Sequence, residues 1–253
     1  MSRTIIITST IEELYVAAAR EVVQVVTGCR KEGRECFVAL AGGSTPRGLY
    51  QLLTGEPYRS QLSWEYLRVF WGDERTVPPD HHESNFRMAE EALLSHVPVS
   101  ASQVFRIEGE LPAGVAAARY ESVLREQFRL SPGEVPRFDL ILLGMGPDGH
   151  TASLFPGTPV VTETHKLVAA PWVEKFHTHR VTLTPPVLNA AKHVVVLVSG
   201  RDKATALQAV LEGPSEPARY PAQVLNPTEG HLVWLINHDA AGLLQTATMT
   251  PRL

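Results

Sequence analysis

The strongest chemical signal in this chain is a histidine set behind a glycine turn at the end of an apolar run. The segment reads Gly144-Met145-Gly146-Pro147-Asp148-Gly149-His150-Thr151-Ala152-Ser153-Leu154-Phe155-Pro156, and Phe138 to Leu143 before it reads as a buried strand. Glycine is free of the Cβ restriction, so the chain can turn sharply as it leaves the sheet. Imidazole changes charge near neutral pH, and ligands of parallel sheets sit just beyond the carboxyl ends of strands. His150 is therefore a candidate general base. The letters Gly144-x-Gly146-x-x-Gly149 also match a dinucleotide fingerprint, which requires a helix opening at the third glycine and an acid ending the next strand. Pro156 and Pro159 interrupt any such helix, and the next extended segment, His165 to Trp172, carries no acid at its end. Nicotinamide binding is set aside on those grounds. Taken alone, the segment is also compatible with an ordinary tight turn that binds nothing.

Three further segments pair a strand end with groups suited to an anion. Ala41-Gly42-Gly43-Ser44-Thr45-Pro46 stands between a strand and a helix, with Pro46 placed as the first helical residue. Free amides, two hydroxyls and the helix dipole make such a start a phosphate site, although a plain capped helix start fits the same letters. It lacks the lysine and spacing of a nucleoside-triphosphate loop. Trp71-Gly72-Asp73-Glu74-Arg75 ends another strand, where acids can orient sugar hydroxyls and an arginine can pair with an anion. Ser199-Gly200-Arg201-Asp202-Lys203 leads into a helix, so Lys203 opposes the dipole of its first turn unless an anion shares the site. Arg180, ahead of Val181-Thr182-Leu183-Thr184, is one more candidate cation. The chain has no G-x-S-x-G and no H-E-x-x-H. His81-His82 and His177-Thr178-His179 lie in polar loops, and no metal is expected there.

These loops need a scaffold, and the pattern supplies one. Strand and helix segments alternate from Ile5-Ile6-Ile7 to Leu232–Ile236, the signature of a parallel α/β sheet. Thr10 and Glu13 predict a capping box opening a helix that Gly28 closes, and Ser84 predicts the cap of a helix reaching about Ser95. Further helices are expected over Arg47–Leu53, Ala113–Phe128 and Asp202–Leu211. The expected fold is a three-layer, mostly parallel sheet with helices on both faces. No linker or repeat divides residues 1–253, so one domain is expected. A net charge of −4 argues against nucleic acid, and apolar runs such as Val194 to Val198 are far too short to span a bilayer. Cys29 and Cys36 match no metal or redox spacing and read as reduced thiols of a cytoplasmic protein.

Taken together and in order, Ala41–Pro46, Trp71–Arg75 with Ser84-Asn85, Gly144–Pro156, and Arg180–Thr184 with Gly200–Lys203 resemble the 6-phosphogluconolactonase family. The resemblance implies hydrolysis of 6-phosphogluconolactone to 6-phosphogluconate in the oxidative pentose phosphate pathway, without metal or organic cofactor. It also implies the modified Rossmann-like fold shared with glucosamine-6-phosphate deaminases. On that footing His150 and Asp73 are the expected catalytic pair, and Gly43, Ser44, Thr45, Arg47, Arg75, Arg180 and Lys203 bind the substrate. Asp148 is expected to brace the glycine loop, while Asp73 orients water, a sugar hydroxyl or the imidazole. The small-molecule lactone is the expected partner, and the chain is expected to act as a monomer, with a weak homodimer as the alternative. His81-His82-Glu83-Ser84-Asn85 departs from the family's usual His-Pro-Asp-Ser-Asn, and Lys175–His179 is less proline-rich than the family pattern. The sharpest rival is the deaminase, whose loop resembles Gly-His-x-Ala-Phe-Asn-Glu-Pro; Phe155 stands here at that glutamate. A sugar-phosphate sensor without turnover is the other rival, and it would need no general base.

Overall fold

The computed structural model describes residues 2–245. The chain runs β1 (Ser2–Thr8), α1 (Ile11–Lys31), β2 (Cys36–Leu40), α2 (Ser44–Leu53), α3 (Tyr58–Gln61), β3 (Leu67–Trp71), β4 (Asp73–Arg75), α4 (Asn85–Ala92) and α5 (Ala113–Gln127). It continues through β5 (Leu140–Gly144), β6 (Val168–Ala169), β7 (Trp172–Val173), β8 (Thr178–Leu183), α6 (Pro185–Ala190), β9 (His193–Val198), α7 (Ala204–Glu212), β10 (His231–Asn237) and α8 (His238–Ala241). Six strands form a parallel sheet in the order β1-β10-β9-β5-β2-β3. The central strands β5 and β9 are near-continuous apolar runs because both faces are covered by packed elements. This is the expected layered α/β architecture.

Local chemistry explains the helix ends. Thr10 Oγ1 accepts the Glu13 amide at 3.2 Å, and the Glu13 carboxylate accepts the Ser9 amide at 2.8 Å, so two otherwise orphan donors are satisfied. Leu14, Ala18, Val22, Val25, Val26 and Cys29 then form one buried stripe along α1. Gly28 does not close this helix, contrary to the sequence expectation. The helix runs on to Lys31 and stops where Gly33 takes a φ of +66°, a conformation open to glycine at no steric cost. Helix α2 begins at Ser44, three residues earlier than predicted, so Pro46 is its third residue and not its first. The helix from Ser84 ends as α-helix at Ala92, and the one expected from Asp202 opens as a 3-10 turn over Arg201–Lys203 before α7.

Val181-Thr182-Leu183 does not join the parallel sheet. It belongs to β8, which pairs antiparallel with β4, β6 and β7 in a small second sheet above the first. That sheet carries Asp73 and Arg180 toward the carboxyl edge of the main one. Two buried phenols pin the same edge. Tyr50 Oη donates to the Ala41 carbonyl and accepts its amide, at 2.8 and 2.9 Å, and Tyr120 Oη does the same for Trp71. Each hydroxyl thus satisfies the backbone of a residue at the point where its loop leaves the ladder.

Candidate functional site

Strand order reverses direction at the centre of the main sheet. From β2 the chain moves outward to β3, whereas from β5 it moves the opposite way to β9, although β2 and β5 are neighbours. Loops on either side of such a switch point diverge and leave a crevice at the carboxyl ends of the strands. A cavity of about 290 Å³ occupies that crevice. Its walls are the four loops that follow β9, β5, β2 and β3, together with Phe176 and Arg180. Gly43, Ser44, Thr45, Asp73, Arg75, His150, Arg180 and Lys203 all line it. Arg47 does not: it points into solvent from α2, outside the cavity wall.

The loop after β5 is folded on itself around His150. Gly146 donates its amide to the His150 carbonyl at 2.8 Å, Gly149 donates to the Gly146 carbonyl at 3.0 Å, and Thr151 Oγ1 donates to the Gly144 carbonyl at 2.8 Å. Glycine is required at 146 because a Cβ there would stand 2.0 Å from His150 Nδ1. His150 Nδ1 lies 2.5 Å from Asp148 Oδ1, and the same oxygen accepts the His150 amide at 3.3 Å. This pairing assigns the proton to Nδ1 and leaves Nε2 with its lone pair, as a general base requires. The Phe155 ring stacks on the imidazole with 4.1 Å between centroids and 24° between planes. Tautomer control thus belongs to Asp148, which does more than the loop bracing expected of it.

Burial alone would favour the neutral acid of Asp148. The hydrogen bond and charge of His150, joined by the Lys175 ammonium at 3.2 Å, outweigh that effect and hold its pKa well below the usual carboxylate range. A depressed pKa stabilises the fold fully above the unfolded value of about 3.9 and loses that contribution as pH falls toward the folded value. The stability gap between the wild type and Asp148→Asn is therefore expected to narrow progressively below about pH 4. Urea midpoints of both proteins measured from pH 7 to pH 3 check this. A gap that stayed constant across that range would refute it.

Asp73 is nearly buried, and its carboxylate is held by other partners than the imidazole. Ser153 Oγ donates to Oδ2 at 2.6 Å, while Asn85 Nδ2 donates to the Asp73 carbonyl at 2.9 Å and approaches Oδ1 at 3.5 Å. Of the roles open to Asp73, holding the imidazole is the one this geometry does not provide. Asn85 and Ser153 line the cavity and were not singled out as site residues, since a serine and an asparagine in loops carry no distinctive spacing. Gly42 adjoins Asn85 so closely that a Cβ would fall 1.9 Å from its Oδ1. Neighbouring Glu74 is structural: it accepts the amides of Arg75, Asn85 and Phe86 at 2.7–2.8 Å and fastens the start of α4.

Positive charge gathers at two places. Arg75 and Arg180 stand directly opposite each other on β4 and β8. Among the described residues neither guanidinium has an ion-pair partner; Arg75 donates to the Glu83 carbonyl, and Arg180 lies 5.2 Å from the centre of the Phe176 ring. Burial, and then the Arg75 charge, lower the pKa of Arg180. The second place is the open start of α2, which has no side-chain cap, with Lys203 nearby on the loop after β9. Gly43 enters this helix at φ +102°, and Thr45 Oγ1 meets Ser199 Oγ at 2.7 Å, tying the two loops together. Lys203 Nζ is engaged by Asp202 at 2.5 Å.

Among the described residues, potential metal donors meet at two other places. Cys29, Cys36 and Asp139 are gathered in the core, where Arg34 and Lys192 already neutralise the carboxylate. His81, His82 and Glu83 are gathered on a loop outside the cavity wall. Among the described residues no helix is long and apolar enough to cross a membrane.

Comparison with known proteins bears directly on this arrangement. A family model described as glucosamine-6-phosphate isomerases/6-phosphogluconolactonase matches residues 9–234. A 6-phosphogluconolactonase of Synechocystis sp. is 41% identical over 220 residues, covering 85% of this chain and 87% of the relative. The structure of 6-phosphogluconolactonase from Trypanosoma cruzi superposes with a TM-score of 0.84 at 30% identity, over 97% of this chain and 98% of that one. A monomeric glucosamine-6-phosphate deaminase shares the fold as well, with a TM-score of 0.78 at 24% identity over 95% and 99% of the two chains. The fold alone therefore does not separate the two activities, and the residues of the crevice must. Matched across all four loops that build this crevice, the chain belongs to the glucosamine-6-phosphate isomerase/6-phosphogluconolactonase family.

Proposed function

We propose that the protein hydrolyses 6-phosphogluconolactone to 6-phosphogluconate, the hydrolytic step of the oxidative pentose phosphate pathway. The observation that carries this reading is the His150–Asp148 pair, its Nδ1 engaged by the carboxylate, at a cavity also lined by Arg75, Arg180 and Lys203. His150 takes a proton from water, and the resulting hydroxide adds to the lactone carbonyl carbon. The tetrahedral oxyanion then collapses, the bond from that carbon to the ring oxygen breaks, and imidazolium returns its proton to that oxygen. The product is the open-chain acid, which ionises at neutral pH. No nucleophilic side chain is needed, since a lactone is already an activated ester.

The Arg75–Arg180 pair takes the phosphate. Two adjacent guanidiniums without carboxylate partners repel each other unless a dianion lies between them, and their planar forks fit phosphate oxygens. The amides and hydroxyls at the start of α2, with Lys203, then face the carbonyl oxygen where charge develops. Asp73 accepts a sugar hydroxyl through the carboxylate oxygen that Ser153 leaves free. The deaminase reading loses its glutamate, because Phe155 occupies that place and packs on the imidazole. We further read the chain as one catalytic domain, acting as a cytoplasmic monomer.

The test is turnover of freshly generated 6-phosphogluconolactone, with spontaneous hydrolysis subtracted, beside gluconolactone and glucosamine 6-phosphate. The phosphorylated lactone is expected to be strongly preferred and the amine not to be consumed. Comparable kcat/KM on the two lactones, or release of ammonia from the amine, would overturn the reading.

A further inference from the structure

The short turn between β7 and β8 reaches from the second sheet back to the catalytic loop. Glu174–Phe176 form a 3-10 turn that ends at His177 with a φ of +48°, a left-handed value that turns the chain directly into β8. Lys175 sends its ammonium to Asp148 Oδ2 at 3.2 Å, while Oδ1 of the same carboxylate serves the imidazole. The next residue, Phe176, sets its ring edge-on to Phe155, 5.7 Å between centroids, and Phe155 is stacked on His150. One turn thus touches both residues that hold the base, Asp148 and Phe155, and Lys175 does so without lining the cavity.

We propose that Lys175 is a positioning residue for the His150–Asp148 pair: it occupies the second oxygen of Asp148 and, by offsetting part of that carboxylate's charge, keeps His150 available as a base. The proposal rests on the reading of His150 as the general base. An Asp–His pair with no third partner confers the full carboxylate charge on the ring and favours the imidazolium, which is useless for deprotonating water. A cation on the far oxygen moderates that charge while leaving the hydrogen bond that fixes the tautomer. The other charged and titratable groups around the pair do not substitute for it. Glu174 is engaged by the Trp172 indole at 2.8 Å and by His177 at 3.7 Å. Arg180 is held against the Phe176 ring, and Tyr220 packs by its ring and backbone at Gly149, with Arg219 over that ring. The Asp148 carboxylate keeps its imidazole and amide partners when the ammonium is removed, so the charge effect dominates.

The experiment compares Lys175→Met and Lys175→Arg with the wild type by two readouts. The first is the pH profile of kcat/KM on 6-phosphogluconolactone. The second is an NMR titration of the His150 ring nitrogens, which needs no turnover. Lys175→Met is expected to move the His150 titration upward, because the Asp148 carboxylate then acts on the ring without a compensating cation. The acid limb of kcat/KM is expected to move with it, lowering activity on that limb about threefold with KM nearly unchanged. Lys175→Arg is expected to restore both. A His150 titration in folded Lys175→Met that stays in place or moves downward overturns the proposal. Loss of the base reading shows differently, as near-normal turnover in His150→Ala, and the NMR titration decides the role of Lys175 in either case.

Discussion

His150→Ala is expected to lower kcat on 6-phosphogluconolactone by about 10²–10⁴, the range that a positioned general base contributes. The loss should fall on kcat and on kcat/KM alike, because the imidazole acts on water in the transition state and is not needed to hold the sugar phosphate. Stability should change little. His150 is partly exposed, and the turn around it is closed by backbone bonds from Gly146 and Gly149 and by Thr151, none of which uses the imidazole. The stacked Phe155 loses one face of packing, a modest term at a cavity wall. Stopped assays must be corrected for spontaneous lactone hydrolysis, which sets the floor of the measurable effect. A folded His150→Ala retaining more than a tenth of wild-type kcat would remove the imidazole from the chemistry.

Arg180→Ala is expected to lower kcat/KM for the phosphorylated lactone by about 10–10², mainly through KM, and to leave turnover of plain gluconolactone nearly unchanged. A hydrogen bond to a charged group contributes about 1.5–3 kcal/mol, which is a factor of about 10–150. Arg75→Ala should behave the same way, and the double variant should cost less than the product of the two. The reason is their mutual repulsion: the bound dianion relieves it only when both arginines are present, so either single substitution already forfeits that gain and the two sites are coupled. Lys203→Ala should differ in kind, lowering kcat more than it raises KM, if the group faces the carbonyl oxygen. Kinetics on both lactones for all four proteins separate these outcomes. An equal loss on phosphorylated and plain substrates would show that Arg180 serves the fold or the carbonyl and not the phosphate.

Much of this was legible from single residues and their neighbours in sequence. Apolar runs of the right length at Leu140–Gly144 and His193–Val198 give buried strands wherever the rest of the chain goes. Thr10 and Ser84 cap the helices that follow them because capping needs only a hydroxyl and an amide three residues on. The end of α1 was misplaced at Gly28 since two glycines competed for the stop, and only the backbone shows which one adopts positive φ. Arg47 was included with the cations of its loop, yet a helix opening at Ser44 and not later turns that side chain away from the crevice.

By itself the amino-acid order determined the alternating α/β pattern, the glycine turn that presents His150, and a helix start just beyond Gly42-Gly43, though not the residue at which that helix opens. All of these depend on interactions within a few residues. Tertiary structure alone decided who serves whom. Asp148 rather than Asp73 holds the imidazole, Ser153 and Asn85 hold Asp73, and Arg180 stands beside Arg75 across a second sheet that has no distinctive local pattern. Asp73 and Ser153 are 80 residues apart along the chain. Such pairings follow from the reversal of strand order between β2 and β5, which opens the crevice and brings four separate loops to one point. Strand order is set by the burial of whole faces against one another, a property that no short stretch of sequence carries.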